Sequence, residues 1–97
     1  MKVYLDDERQ EPEGWHRVKT APEVIETLKT GRVTHLSLDH DLGDEAVVGT
    51  GYDVLLWLEE EVFVHAFTPP VLAIHTANIS ARTKMELAAR KIEIHTS

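Results

Sequence analysis

The sequence predicts a small α/β domain built on a mostly parallel sheet of four to five strands. Three observations carry that reading. Short apolar runs alternate with stretches of helical periodicity, the pattern of strand–crossover–strand units with right-handed connections. Three of those apolar runs end abruptly in polar clusters. The chain has 97 residues, the length of a single domain with one modest core, so 1–97 is read as one unit.

The elements follow in order. Val3-Tyr4-Leu5 is a short strand that stops at Asp6-Asp7-Glu8. Pro12 and Gly14 mark a turn, and Trp15 to Lys19 reads as a second short strand. Thr20 is placed to cap a helix, with Pro22 in its first turn and Glu23 at the capping-box position. Val24, Ile25 and Leu28 follow at helical spacing, and Gly31 is a natural stop. Val33 to Leu38 is the next strand, ending in Asp39-His40-Asp41-Leu42-Gly43-Asp44. A glycine-bearing loop leads to a second capping box, Thr50 with Asp53, and to a helix carrying Val54, Leu55, Leu58 and Val62. Thr68-Pro69-Pro70 breaks the chain before a buried-type strand, Val71 to Ile74, which ends in His75-Thr76-Ala77-Asn78. Asn78 and Ser80 are alternative caps for a last helix with the stripe Met85, Ala88, Ala89 and Ile92. Ile94 opens a short final segment, read as a candidate fifth strand.

Composition narrows the function. With 17 acidic against 10 basic residues the net charge is -7, and the basic residues are scattered. General nucleic-acid binding, which needs clustered Lys and Arg, is therefore not expected. The absence of cysteine excludes disulfides, thiolate metal sites and a cysteine nucleophile. No apolar run reaches membrane-helix length, and the opening MKVYLDDER is not a signal peptide. A cytoplasmic location without membrane contact is expected; the oligomeric state is left open.

In an open parallel sheet, ligands bind at the C-terminal ends of the strands. Three strands deliver polar clusters to that edge: Asp6-Asp7, Asp39-His40-Asp41, and His75-Thr76 with Asn78. Adjacent carboxylates repel unless a cation compensates. Asp6, Asp7 and Asp39 are hard oxygen donors suited to Mg²⁺ or Mn²⁺. Turn or solvated roles are the plain alternative, and they explain one acid more easily than three. His40 and His75 are candidates for metal ligation or proton transfer, with Asp41 placed to orient His40; the histidines keep Zn²⁺ or Fe²⁺ open as well. Thr76, Asn78 and Arg82 are candidate phosphate contacts near a helix N-terminus. Arg9 is either a phosphate contact or the counter-ion of the acidic pair. Glu59-Glu60-Glu61 reads as a solvated helix face, and Trp15 and Trp57 as packing. His16, His35, His65 and His95 read as surface or packing residues.

Asp6-Asp7, Asp39 and Thr76-Ala77 resemble the receiver domain of response regulators. That resemblance implies a receiver-like (flavodoxin-like) three-layer fold. It also implies Mg²⁺ on the three aspartates, and a phosphoryl group accepted by Asp39 and contacted by Thr76. The sequence departs from the receiver pattern in three ways. Only Glu8 to Trp15 join the first two strands, too few for a helical crossover, so the first helix is missing or vestigial. The lysine that receivers carry after a fifth strand has no clear counterpart, since only His95-Thr96-Ser97 follow Ile94. His40-Asp41 and His75 are additional. With these departures, LDDER at 5–9, SLDHDLG at 37–43, TGYDVLLW at 50–57 and IHTAN at 74–78 resemble the cyclic-phosphate processing receiver domains.

The resemblance implies a metal-dependent phosphoesterase acting on cyclic phosphates, such as 2′,3′-cyclic phosphates on nucleotides or RNA ends. Asp39, His40, Asp41 and His75 are then the catalytic candidates. Two other readings stand beside it: a non-catalytic signalling receiver phosphorylated on Asp39, and a metal- or nucleotide-binding module.

Overall fold

The computed structural model describes residues 1–96. Its elements run β1 (Lys2–Leu5), β2 (His16–Val18), α1 (Ala21–Leu28), β3 (His35–Leu38), α2 (Glu45–Val48), α3 (Gly51–His65), β4 (Val71–Ile74) and α4 (Ile79–Thr96). The four strands form one sheet in the order β2-β1-β3-β4. Every pairing is parallel. This is the expected receiver-like α/β architecture.

The link from β1 to β2 is a loop, as its length required. It is folded by a Trp15 N–H to Pro12 C=O bond of 3.1 Å and closed onto β2 by Asp6 N–H to Val18 C=O at 3.0 Å. That missing helix sets the layering. The two helical crossovers, β2 to β3 and β3 to β4, both advance across the sheet in the same direction. Right-handed connections that advance one way lie on one face. The β1 to β2 step goes the other way, and only a helix there would cover the opposite face. Accordingly α1 packs on α3, and α3 on α4. The expectation of three layers is corrected to two: one sheet and one helical layer.

The core lies between them. Val3, Leu5, Val18, Leu36 and Leu38 from the sheet meet Val24, Leu28, Val54, Leu55, Leu58, Met85 and Ile92 from the helices. Each fully buried aliphatic side chain contributes about 1.5–3 kcal/mol. The other face of the sheet carries Tyr4, Arg17, His35 and Ser37, with Trp15 edge-on to both Tyr4 and His35.

The capping signals hold. The Thr50 hydroxyl accepts from Asp53 N–H at 3.2 Å, and the Asp53 carboxylate accepts from Thr50 N–H at 3.0 Å. The α1 cap is simpler, with Thr20 accepting from Glu23 N–H at 3.3 Å. For α4 the cap is Asn78 rather than Ser80: its Oδ1 accepts from Ala81 N–H at 3.1 Å. A fifth strand from Ile94 does not form. Helix α4 continues to Thr96, because its buried stripe extends through Ile92 and no glycine or proline interrupts it. Ser97, the end of that segment, lies outside the described residues. The short helix α2 arises within the stretch read as a loop, capped by Asp44.

Candidate active site

The site is assembled from the segments that follow β1, β3 and β4. Asp6, directly after β1, is almost wholly buried. Its Oδ1 accepts the backbone N–H groups of Glu8 and Arg9, both at 2.8 Å. Its Oδ2 meets Nε2 of His75 at 3.1 Å. Burial pushes the Asp6 carboxyl up, but the Arg9 and Glu8 N–H bonds and His75 outweigh it and hold the pKa below the usual range. Arg9 stands near by, its Nε 4.0 Å from Oδ2, and its Nη1 donates to the His75 carbonyl at 2.7 Å.

His75 is held on three sides. Its Nδ1 lies 2.7 Å from the Ser37 hydroxyl. Its ring stacks on Tyr4 with centroids 4.2 Å apart and planes 3° from parallel. An ionised carboxylate can only accept. The Asp6 contact therefore assigns the proton to Nε2, and Nδ1 accepts from Ser37. Burial pushes the imidazole pKa down, more than the neighbouring Asp6 carboxylate lifts it.

The segment after β3 is built differently. Asp39 Oδ1 accepts from His40 N–H at 2.8 Å. The buried His40 ring places Nδ1 2.8 Å from Asp41 Oδ1. Asn78 Nδ2 donates to the other Asp41 oxygen at 3.3 Å. The His40 bond, helped by Asn78, lowers the Asp41 pKa against a desolvation that raises it. Nε2 of His40 has no partner among the described residues, and it is not sealed from solvent. Glycine is required behind this segment. Gly51 N–H bonds to the His40 carbonyl at 3.2 Å, and a Cβ on Gly51 would stand 1.9 Å from the Asp39 carbonyl oxygen.

After β4, the buried Thr76 accepts from Asn78 N–H at 3.2 Å. A cleft of about 230 Å³ opens between the three segments, lined by Asp6, Asp7, Arg9, Asp39, Asp41, Thr76 and Asn78, with Glu8 and Ala77. Oxygens of Asp6, Asp7 and Asp39 all lie within 4.8 Å of one another. Asp7 has no hydrogen-bond partner among the described residues, and Arg9 is the only cationic side chain that lines the cleft. Three converging carboxylates, of which only Asp6 is well compensated by its own hydrogen bonds, form a hard-oxygen donor set that fits a divalent cation such as Mg²⁺ or Mn²⁺. A larger hollow of about 420 Å³ lies by Phe63, Phe67 and His95, but no carboxylate side chain among the described residues lines it. Chemistry rather than volume marks the site.

Residues 1–96 match the cyclic-phosphate processing receiver domain. The chain belongs to that family. No curated protein and no solved structure matches it. In this receiver domain the sheet edge gathers Asp6, Asp7, Asp39, Asp41, Thr76, Asn78 and Arg9 around one cleft. His40 and His75 stand behind the lining, bonded to Asp41 and Asp6. Arg82 is turned aside, its Nε 3.3 Å from Glu86 on the same helix, and it does not line the cleft.

Sequence reasoning passed over Ser37, Tyr4 and Gly51. Ser37 did leave a signal, a polar residue between the buried Leu36 and Leu38, two rows before His75. Tyr4 and Gly51 left none that distinguishes them from packing and turn residues. No helix among the described residues is long and apolar enough to cross a membrane.

Proposed function

We propose that this receiver domain is a metal-dependent phosphoesterase that opens cyclic phosphates, with 2′,3′-cyclic phosphates of nucleotides or RNA ends as its substrates. The observation that carries the reading is the three-carboxylate cluster in one cleft with Asp41, whose carboxylate anchors Nδ1 of His40.

Asp6, Asp7 and Asp39 would hold the cation, which supplies charge neutralisation for the phosphate oxygens. Without that cation the acidic cleft repels its substrate. Asp41 accepts from Nδ1–H of His40, which fixes the tautomer and leaves Nε2 as a proton acceptor. His40 lies behind the cleft lining, so the proton of the attacking water would reach its Nε2 through solvent. The overall change adds water across one ring P–O bond. The water oxygen ends on phosphorus, and a proton ends on the released ribose oxygen. Thr76 and Asn78 offer polar groups to the non-bridging oxygens. His75, with both nitrogens engaged, acts through Asp6: it positions the carboxylate instead of moving protons.

The test is incubation with 2′,3′-cyclic AMP under Mg²⁺, Mn²⁺, Zn²⁺ or EDTA, followed by chromatography of the monophosphates. Opening that needs metal and His40 supports the proposal. No product under any metal refutes it. Labelling of Asp39 by acetyl phosphate would then favour the signalling receiver, and a tight complex with the intact cyclic nucleotide would favour a binding module.

A further inference from the structure

Away from the cleft, the outer face of the helical layer carries a pattern of its own. Helices α3 and α4 run side by side in the same direction. Lys84 Nζ sits 4.2 Å from the Tyr52 ring centroid near one end, and His95 stacks on Phe63 at 4.2 Å near the other. Both pairs are 32 residues apart in sequence, so the two helices keep one level along their length. By the same offset Glu59 stands level with Lys91.

Between the helices lies a groove of about 390 Å³. Leu56 and Leu87 line it while 46% and 62% exposed, an unusual placement for paired leucines on one surface. Its walls differ in charge. Glu59 stands on the α3 side, and Lys84 and Lys91 on the α4 side. The helices repeat the contrast: α3 has four acidic residues and no Lys or Arg, whereas α4 has four Lys or Arg and two acids. Neither Glu59 nor Lys91 forms an ion pair among the described residues.

We propose that this face binds a second copy of the chain, related by a two-fold axis in the interface plane and parallel to the helices. Such an axis sets α3 of one copy against α4 of the other without changing level. Glu59 then meets Lys91 of the second copy twice, once on each side of the axis, and Leu56 and Leu87 are covered from both copies. A two-fold axis across the helices instead lays α3 on α3, acid against acid. The charges therefore select the partner and its direction together.

The test is sedimentation velocity of the full chain over a concentration series from micromolar to submillimolar, with circular dichroism to verify folding. Self-association is expected. Glu59→Lys and Lys91→Glu should each weaken it about tenfold or more, and the double variant Glu59→Lys/Lys91→Glu should restore it. Leu87→Glu should abolish it. The proposal is overturned if the unaltered chain stays monomeric throughout, or if the double variant associates no better than the single ones.

Discussion

His40 and His75 stand at the same edge of the same sheet, each bonded to a carboxylate, and their surroundings give them different work. His75 is closed: Ser37 holds one nitrogen, Asp6 the other, and Tyr4 covers a ring face. His40 is open: Asp41 holds Nδ1, and Nε2 is left to solvent. A histidine with both nitrogens engaged can fix a ligand but cannot exchange protons without breaking bonds. One with a single anchored nitrogen is prepared for exchange. The contrast comes from the layer beneath. Strand residues Ser37 and Tyr4 back His75, whereas His40 lies on a loop held down by Gly51.

The largest expected effect breaks the open side. His40→Ala should lower turnover about 10²–10⁴-fold, the usual range for a lost acid–base group. Metal affinity, measured by Mn²⁺ titration, should stay within about twofold. Equal losses in both would merge the two histidines into one role. Next, Gly51→Ala should destabilise the protein by about 3 kcal/mol in denaturant melts, because the new methyl meets the Asp39 carbonyl. An unchanged melt would show that this loop is not pinned as described.

The closed side is tested by Ser37→Ala and His75→Gln. Each should weaken metal binding about 10–100-fold, as loss of a supporting contact does. Turnover at saturating metal should change far less. A loss of turnover that excess metal does not rescue would make His75 a proton carrier.

The smallest effect is on pH dependence, read in EDTA. Folding lowers the His75 pKa, so below about pH 6.5 the unfolded chain binds the extra proton and stability is lost as the pH drops. The slope is at most about 1.4 kcal/mol per pH unit for one proton. His75→Gln should flatten it. Asp6 and Asp41 act lower: their depressed pKa values add stability above about pH 4, which is lost on further acidification. Thermal melts between pH 4.5 and pH 8, a span of about 3.5 units around the histidine value, separate the two.

Much of this architecture was legible in the chain. Strands that end in acids, and helices opened by Thr20 and by Thr50 with Asp53, give the order and spacing of elements. The loop of Glu8 to Trp15 was visibly too short for a helix. Its consequence, a sheet covered on one face, required following the direction of every crossover. The end of α4 was misread because Ile94 and His95 look alike in a strand or a frayed helix, and only the packing of Ile92 decides. The aspartates were found because like charges at strand ends need a reason. The two histidines looked equivalent, since hydrogen bonds to Ser37 and stacking on Tyr4 join residues far apart in sequence.

The most direct test compares single-turnover opening of 2′,3′-cyclic AMP by the unaltered protein, His40→Ala and His75→Gln at saturating Mn²⁺. Product is expected from the unaltered protein, with near-normal rates from His75→Gln and almost none from His40→Ala. Normal rates from His40→Ala with none from His75→Gln would contradict this expectation.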